Sequence, residues 1–229
     1  MSERFFLPEP PRDGRALLEG DEARHLARVM RARVGDRVEL FDGRGTRWPA
    51  EVAAIGRDRV ELSTGAPVVT PVPGSPSLTV AVALPKGERQ QWLAEKLTEL
   101  GAASLLPLLT TRGVAEPGPA ARTRLERAVL EACKQCRRDH LMTILPPATM
   151  DEAVRGPHAG TSLLLADAGG AAPAPDPGAA AVLVLVGPEG GFTPEEIAVA
   201  LAAGARRVSF SRHVLRVETA ALAAAARFA

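Results

Sequence analysis

Five apolar residues in succession, Val182 to Val186, run directly into Gly187-Pro188-Glu189-Gly190-Gly191 and then Thr193-Pro194-Glu195-Glu196. An apolar run without alternation suits a strand buried on both faces, as in a parallel sheet. The three glycines permit positive φ and let the backbone approach a ligand closely. Thr193, Pro194 and Glu196 read as an N-cap, a proline at N1 and a capping-box glutamate at N3. Such a cap contributes about 1 kcal/mol, which fixes where the next helix starts. The stretch from Val182 to Ala220 therefore constrains the chain to a strand–glycine turn–helix unit, the corner from which α/β folds are built.

A glycine turn at a helix N-terminus commonly cradles phosphate, but this one carries the wrong charge. No Gly-Lys-Ser/Thr follows the glycines and no GxGxxG is present. Glu189, Glu195 and Glu196 occupy the positive end of the dipole that an anion would need. A neutral or cationic ligand fits better. The same residues would also serve as a plain structural corner.

The chain has 229 residues, 46% of them hydrophobic and 24% charged, enough for one large domain or two small ones. A formal net charge of +1 gives no global nucleic-acid signal, so charge has to be read locally. MSERFFLPEP lacks an apolar h-region and is not a signal peptide. No run approaches the ~20 apolar residues of a membrane span. Two cysteines without an export signal imply a reduced, cytoplasmic protein.

Residues 1–70 read as a small β-rich domain, with strands at Arg37–Phe41, Arg47–Ile55 and Arg59–Leu62 and a turn at Asp42-Gly43. A helix is predicted between Asp21 and Met30, with Leu26, Val29 and Met30 on one face. From Arg24 to Arg47, seven arginines stand against Asp36, Glu39 and Asp42. That patch is either an RNA-backbone contact or a solvated face. Residues 71–76 sit in a proline-rich run (66–76) that reads as the linker. From 77 to 229 strands and helices alternate, which predicts a parallel-sheet α/β domain. Its strands fall at Leu78–Leu84, Leu105–Leu109, Thr161–Ala166, Val182–Val186 and Arg207–Phe210. Its helices fall at Glu88–Leu100 and Ala120–Arg138, with a last one from Glu218. GGAAPAPDPGAAA (169–181) reads as an exposed loop.

Cys133 and Cys136 have CxxC spacing, but no second ligand pair accompanies them and they lie inside a helix. Partly buried helix thiols are the better reading. His25, His140, His158 and His213 show no paired metal spacing, so no metal is predicted. Two further basic runs, 112–140 and 206–217, flank the glycine loop as an RNA-modifying site would need. Three per cent aromatic content and no tyrosine argue against base-stacking platforms.

GPEGGFTPEEI followed by LRVETAALA resembles the C-terminal signature of the ribosomal RNA small subunit methyltransferase E family, among the knotted SPOUT methyltransferases. LPKGERQQWLAEKLTELGA (84–102), LTTRGV (109–114), EACKQCRR (131–138), RFF (4–6) and HLARVMRARVGDRVELFDG (25–43) match in the family's order. The chain departs at Phe210-Ser211, where the family usually has Leu-Gly, and at Val217, where it usually has Thr. The resemblance implies a PUA-like β-barrel RNA-binding domain followed by a SPOUT parallel sheet with a trefoil knot, through which 211–217 threads. It implies S-adenosylmethionine as cofactor and N3 of a uridine in 16S ribosomal RNA as target, the RNA lying within an assembled subunit. It also implies a homodimer formed through the knot region, and no membrane. The terminal helix, apolar nearly all round, points to the same dimer, because a chain of this length has limited interior in which to hide it.

On that reading Leu165, Gly187, Glu189, Gly190, Gly191, Ser211, Val214 and Leu215 hold the cofactor. Arg216 stabilises the uridine anion or orients the base, and Glu218 is either the proton acceptor or a helix-cap carboxylate. Arg24, Arg28, Arg31, Arg33, Arg112, Arg137 and Arg138 are the RNA-contact candidates. A SPOUT enzyme with another rRNA or tRNA target, and a non-catalytic RNA-binding protein, remain as competing readings.

Overall fold

The computed structural model describes residues 3–72, 76–115, 118–155, 160–174, 176 and 178–229. They divide into two units, Met1–Val72 with Cys133–Leu141, and Pro73–Ala132 with Met142–Ala229. Part of the expected 71–76 linker, residues 73–75, and His158 lie outside the described residues.

The first unit contains β1 (Arg4–Phe6), β2 (Arg15–Glu19), α1 (Gly20–Arg24), β3 (Arg37–Phe41), β4 (Thr46–Ile55), β5 (Arg59–Thr64) and β6 (Val68–Val69). Period-two alternation decides which residues face inward: Ala16 and Leu18 on β2, Trp48, Ala50 and Val52 on β4, Val60 and Leu62 on β5. The sheet order is β1-β3-β4-β5-β2, with β6 added to β4. β1 and β2 are its two edges, so the domain expected to be a β-barrel is an open half-barrel. The predicted helix at 21–30 is α1 followed by a π-turn, His25–Val29, closed by a bond from the Met30 N–H to the His25 carbonyl at 3.0 Å. The wider turn rotates residues out of α-helical register. Leu26 is therefore fully buried, whereas Val29 and Met30, expected on the same face, are exposed.

Residues 133–141 belong to this unit, and Asp139 is the buried carboxylate among their ties to it. Asp139 pairs with the Arg4 guanidinium and accepts from Thr70 Oγ1 at 2.6 Å and from Arg47 Nη1 at 3.2 Å. Arg4 lies 4.4 Å from the Phe41 ring centroid and 2.9 Å from Glu39 Oε1. Two charges taken out of water persist only with such partners.

The second unit contains β7 (Ser77–Val82), α2 (Arg89–Glu99), β8 (Ser104–Leu109), α3 (Pro119–Cys136, its last residues counted with the first unit), β9 (Thr143–Ile144), β10 (Ala148–Thr149) and α4 (Met150–Val154). β11 (Thr161–Ala171), β12 (Ala181–Val186), α5 (Pro194–Ala202), β13 (Arg206–Val208) and α6 (Val217–Phe228) complete it. The sheet is parallel throughout, in the order β10-β8-β7-β12-β11-β13 with β9 also on β8. β12 is central and buried on both faces, as its unbroken apolar run requires.

Two expectations change here. β11 continues five residues past Ala166, taking in Gly169 and Gly170 of the expected loop. A Cβ on Gly170 would lie 2.5 Å from the Val208 nitrogen, so only glycine lets β13 close against the extended strand after the register shift. The terminal helix finds its cover within one chain. Val217, Ala221, Ala224, Ala225 and Phe228 form one buried face of α6, which packs on α2, β7 and β12. The limited-interior argument for a dimer therefore fails. Cys133 is buried and Cys136 half-buried, and neither is in a disulfide.

Candidate active site

Ligands of open parallel sheets bind outside the carboxyl ends of the strands, and this sheet has a cavity of about 340 Å³ there. Its floor is Ala166, within β11, and Val186 and Val208 at the ends of β12 and β13. One wall is the glycine turn and the other is the segment between β13 and α6. The local code of the turn is realised as read. Thr193 caps α5 by accepting from the Glu196 N–H, and the Glu196 carboxylate accepts from the Thr193 N–H, with Pro194 in the first turn. Gly191 adopts φ +68°, a conformation that other residues reach only with strain. The turn is tied down from α5 and from the loop after β8. Glu196 Oε1 accepts from the Thr111 N–H at 2.7 Å, and Arg112 Nη1 donates to the Gly190 carbonyl at 2.7 Å.

Of the residues predicted to hold the cofactor, Gly187, Glu189, Gly191, Ser211, Val214 and Leu215 line this cavity. Gly190 and Leu165 do not. The Gly190 carbonyl is engaged by Arg112, and Leu165 is fully buried in the apolar core beneath. The second wall is shaped by its own serines: Ser209 Oγ donates to the Ser211 carbonyl at 2.7 Å, and Ser211 Oγ accepts from the His213 N–H at 3.0 Å. Phe210, the departure from the family pattern, lines the cavity with its ring 6.4 Å from that of Phe228.

Asp167 also lines the cavity and went unread in the sequence. Burial pushes its carboxyl up, but the Gly169 N–H at 2.7 Å and the Arg207 guanidinium at 2.8 Å outweigh burial and hold it below the usual carboxylate range. The cavity thus carries two carboxylates, Asp167 and Glu189, and neither a lysine nor an arginine among its described lining residues. In a partly enclosed site of lowered dielectric, that asymmetry favours a cation.

Beside it, at the first turn of α6, Glu218 is buried, its side chain 8% exposed. Its Oε1 accepts from Arg89 Nη1 at 2.9 Å, and the same Nη1 lies 3.8 Å from Glu189 Oε1. Oε2 is buried with no hydrogen-bond partner among the described residues. An unsatisfied buried acceptor costs about 1–3 kcal/mol, more when charged. Glu218 does not cap α6: the N-cap is Arg216, and no side chain caps that helix end. The Arg216 side chain is exposed and makes no hydrogen bond or ion pair among the described residues.

The RNA-contact candidates do not form one set. Arg24, Arg28, Arg31, Arg33, Arg137 and Arg138 fall in the first unit and Arg112 in the second. Arg24 pairs with Asp21, Arg28 with Asp58 at 3.5 Å and Arg137 with Glu39 at 3.5 Å. Burial lowers the Arg138 guanidinium from its ordinary value, and the side chain is half-buried. Arg31 and Arg33 stand exposed on the turn before β3. No cluster of three or more metal-ligating side chains occurs among the described residues, and no described helix is long and apolar enough to cross a membrane.

Residues 73–229 match the family model described as an RNA methyltransferase domain, and residues 18–64 match an RNA methyltransferase PUA domain. Ribosomal RNA small subunit methyltransferase E of Synechocystis is 31% identical over 96% of this chain and 74% of its own. The Mycobacterium bovis protein of that name is 32% identical over 96% of this chain and 88% of its own. The crystal structure of ribosomal RNA small subunit methyltransferase E from Neisseria gonorrhoeae, bound to S-adenosyl methionine, superposes with a TM-score of 0.91. It is 27% identical and covers 99% of this chain and 96% of its own.

Proposed function

The chain belongs to the ribosomal RNA small subunit methyltransferase E family, and from that premise we propose that it methylates N3 of a uridine in 16S ribosomal RNA, with Glu218 as proton acceptor. Its activity is S-adenosylmethionine-dependent methylation of ribosomal RNA, on a PUA-like domain joined to a SPOUT-type α/β domain. The observation that carries the reading is the cavity at the carboxyl side of the sheet, lined by Asp167 and Glu189 and by no lysine or arginine among its described lining residues. S-adenosylmethionine, when bound, supplies an electrophilic methyl group on a positively charged sulfur. The cavity suits it: a volume within the range of small-molecule sites, Glu189 and Asp167 to favour the cation, and no lysine or arginine among the described lining residues.

The chain's own groups then have three tasks. The 187–191 turn and the 211–215 segment orient the cofactor so that its methyl group faces the base. Glu218, whose Oε2 has no partner, takes the N3 proton and so makes the nitrogen nucleophilic. Arg216, exposed and unpaired, stabilises the negative charge that develops on the uracil ring. The first unit, through Arg31 and Arg33, contacts RNA phosphates. The finer setting belongs to the same proposal: a trefoil knot through which 211–217 threads, a cytoplasmic homodimer, and 16S RNA within an assembled subunit. The dimer rests on the family resemblance, and Trp92, 45% exposed in the second unit, is an apolar side chain that a second copy would cover.

Titration calorimetry with S-adenosylmethionine tests the cavity. The wild type should bind and Gly191→Val should not, because valine strains the φ +68° turn. Equal affinity in the two proteins would move the site elsewhere.

A further inference from the structure

Arg89 opens α2, just past the carboxyl end of β7, and it serves two carboxylates with one nitrogen. Nη1 is 2.9 Å from Glu218 Oε1 and 3.8 Å from Glu189 Oε1. Its side chain is 46% exposed, while that of Glu218 is 8% exposed. Glu218 therefore meets the guanidinium from inside the fold and Glu189 meets it from the rim of the cavity. The Oε2 atom of Glu218 is closed to solvent and has no partner among the described residues, so the Arg89 guanidinium is what keeps this carboxylate in place.

We propose that Arg89 is a positioning residue for the methyl transfer, holding Glu218 until the target base arrives and passing to Glu189 when Glu218 takes the proton. The inference rests on Glu218 being the proton acceptor. Charge is balanced through the step. Before transfer, one guanidinium and one sulfonium face the two carboxylates of Glu218 and Glu189. The N3–H bond breaks with its proton going to Glu218, N3 bonds to the methyl carbon, and the carbon–sulfur pair returns to sulfur. Glu218 is then a neutral acid, the sulfonium a neutral thioether, and Arg89 and Glu189 remain as an ion pair. No step leaves an uncompensated charge, which a site of low dielectric would penalise. Glu189 thereby links the cofactor loop to the proton acceptor.

The test is single-turnover methylation of unmethylated small-subunit ribosomal RNA by full-length protein carrying Arg89→Ala, Arg89→Lys or Glu218→Gln. Arg89→Ala should slow the chemical step by about 10²-fold, with cofactor affinity within about threefold of wild type. Added methylguanidinium should recover at least about tenfold of that loss, and Arg89→Lys should fall between the two. Rescue by a soluble cation is what a merely structural arginine would not show. A rate for Arg89→Ala within about threefold of wild type overturns the inference. So does a loss that neither methylguanidinium nor lysine restores. Glu218→Gln separates the two ideas. If it turns over normally, the proton-acceptor reading fails and this inference falls with it. If it is inactive while Arg89→Ala is fast, only the role of Arg89 is wrong.

Discussion

Gly170 is the position where backbone packing most directly sets the cofactor site. A Cβ there would lie 2.5 Å from the Val208 nitrogen, 2.6 Å from the Val208 carbonyl carbon and 2.7 Å from the Arg207 carbonyl carbon. All three neighbours are backbone atoms, so no side-chain rotation relieves the clash. Restoring ordinary contact moves β13 about 1 Å away from β11. Overpacking of that kind costs about 1–3 kcal/mol, and loss of the Ser209 N–H bond to the Ala171 carbonyl at 2.8 Å adds about 1 kcal/mol. Val208 is part of the cavity floor and the chain runs from it into Ser209, Ser211 and Leu215. Gly170→Ala should therefore weaken S-adenosylmethionine binding by about ten- to a hundredfold, at about 1.4 kcal/mol per tenfold. The protein should still fold, with a lowered melting temperature. Gly118→Ala, where a Cβ meets nothing within 4 Å, is the control and should change neither. Calorimetric titration alongside thermal melting reads both quantities. Wild-type affinity and melting temperature in Gly170→Ala would refute the claim that β13 must close on β11 to build the site.

Three further outcomes are expected. Replacing Arg31 and Arg33 with glutamine should reduce the log–log salt slope of RNA binding by roughly 0.7–0.9 per lost contact and spare cofactor affinity; an unchanged slope returns these arginines to solvated surface. Asp167 has a folded pKa below its unfolded value of about 3.9, so its stabilisation is present above that pH and is lost as pH falls through the lower folded value. Urea midpoints of Asp167→Asn should accordingly lose part of the acid-side decline seen in wild type, and identical pH profiles would contradict the pairing with Arg207. Light scattering should give a dimer for wild type and a shift toward monomer for Trp92→Glu, whereas an active wild-type monomer at micromolar concentration would remove the dimer from the account.

What the sequence disclosed follows the range of each interaction. The β12–turn–α5 corner was legible because burial of an apolar run, glycine φ and a capping box act within a dozen residues. Leu26 was legible as core, but Val29 and Met30 were wrongly placed on the same face, since a π-turn is set by what packs around it and not by the 3.6-residue period. Arg89 escaped notice because its partner lies 129 residues along the chain. Only the pairing of β7 with β12 and the docking of α6 bring the two together. Asp167 hid in the same way, in a strand whose extension depends on Gly170 meeting β13. The terminal helix misled for a different reason. Apolar nearly all round, it shows no preferred face in the sequence, yet Val217, Ala221, Ala224, Ala225 and Phe228 turn one face to α2, β7 and β12.

The central claim is methyl transfer to N3 of a uridine in 16S ribosomal RNA, and nucleoside mass mapping tests it most directly. Purified protein, S-adenosylmethionine and small subunits from cells lacking the gene should yield one new 3-methyluridine in 16S RNA, absent when Glu218→Gln replaces wild type. Methylation at another base or ring position, or none with the cofactor bound, would contradict the account.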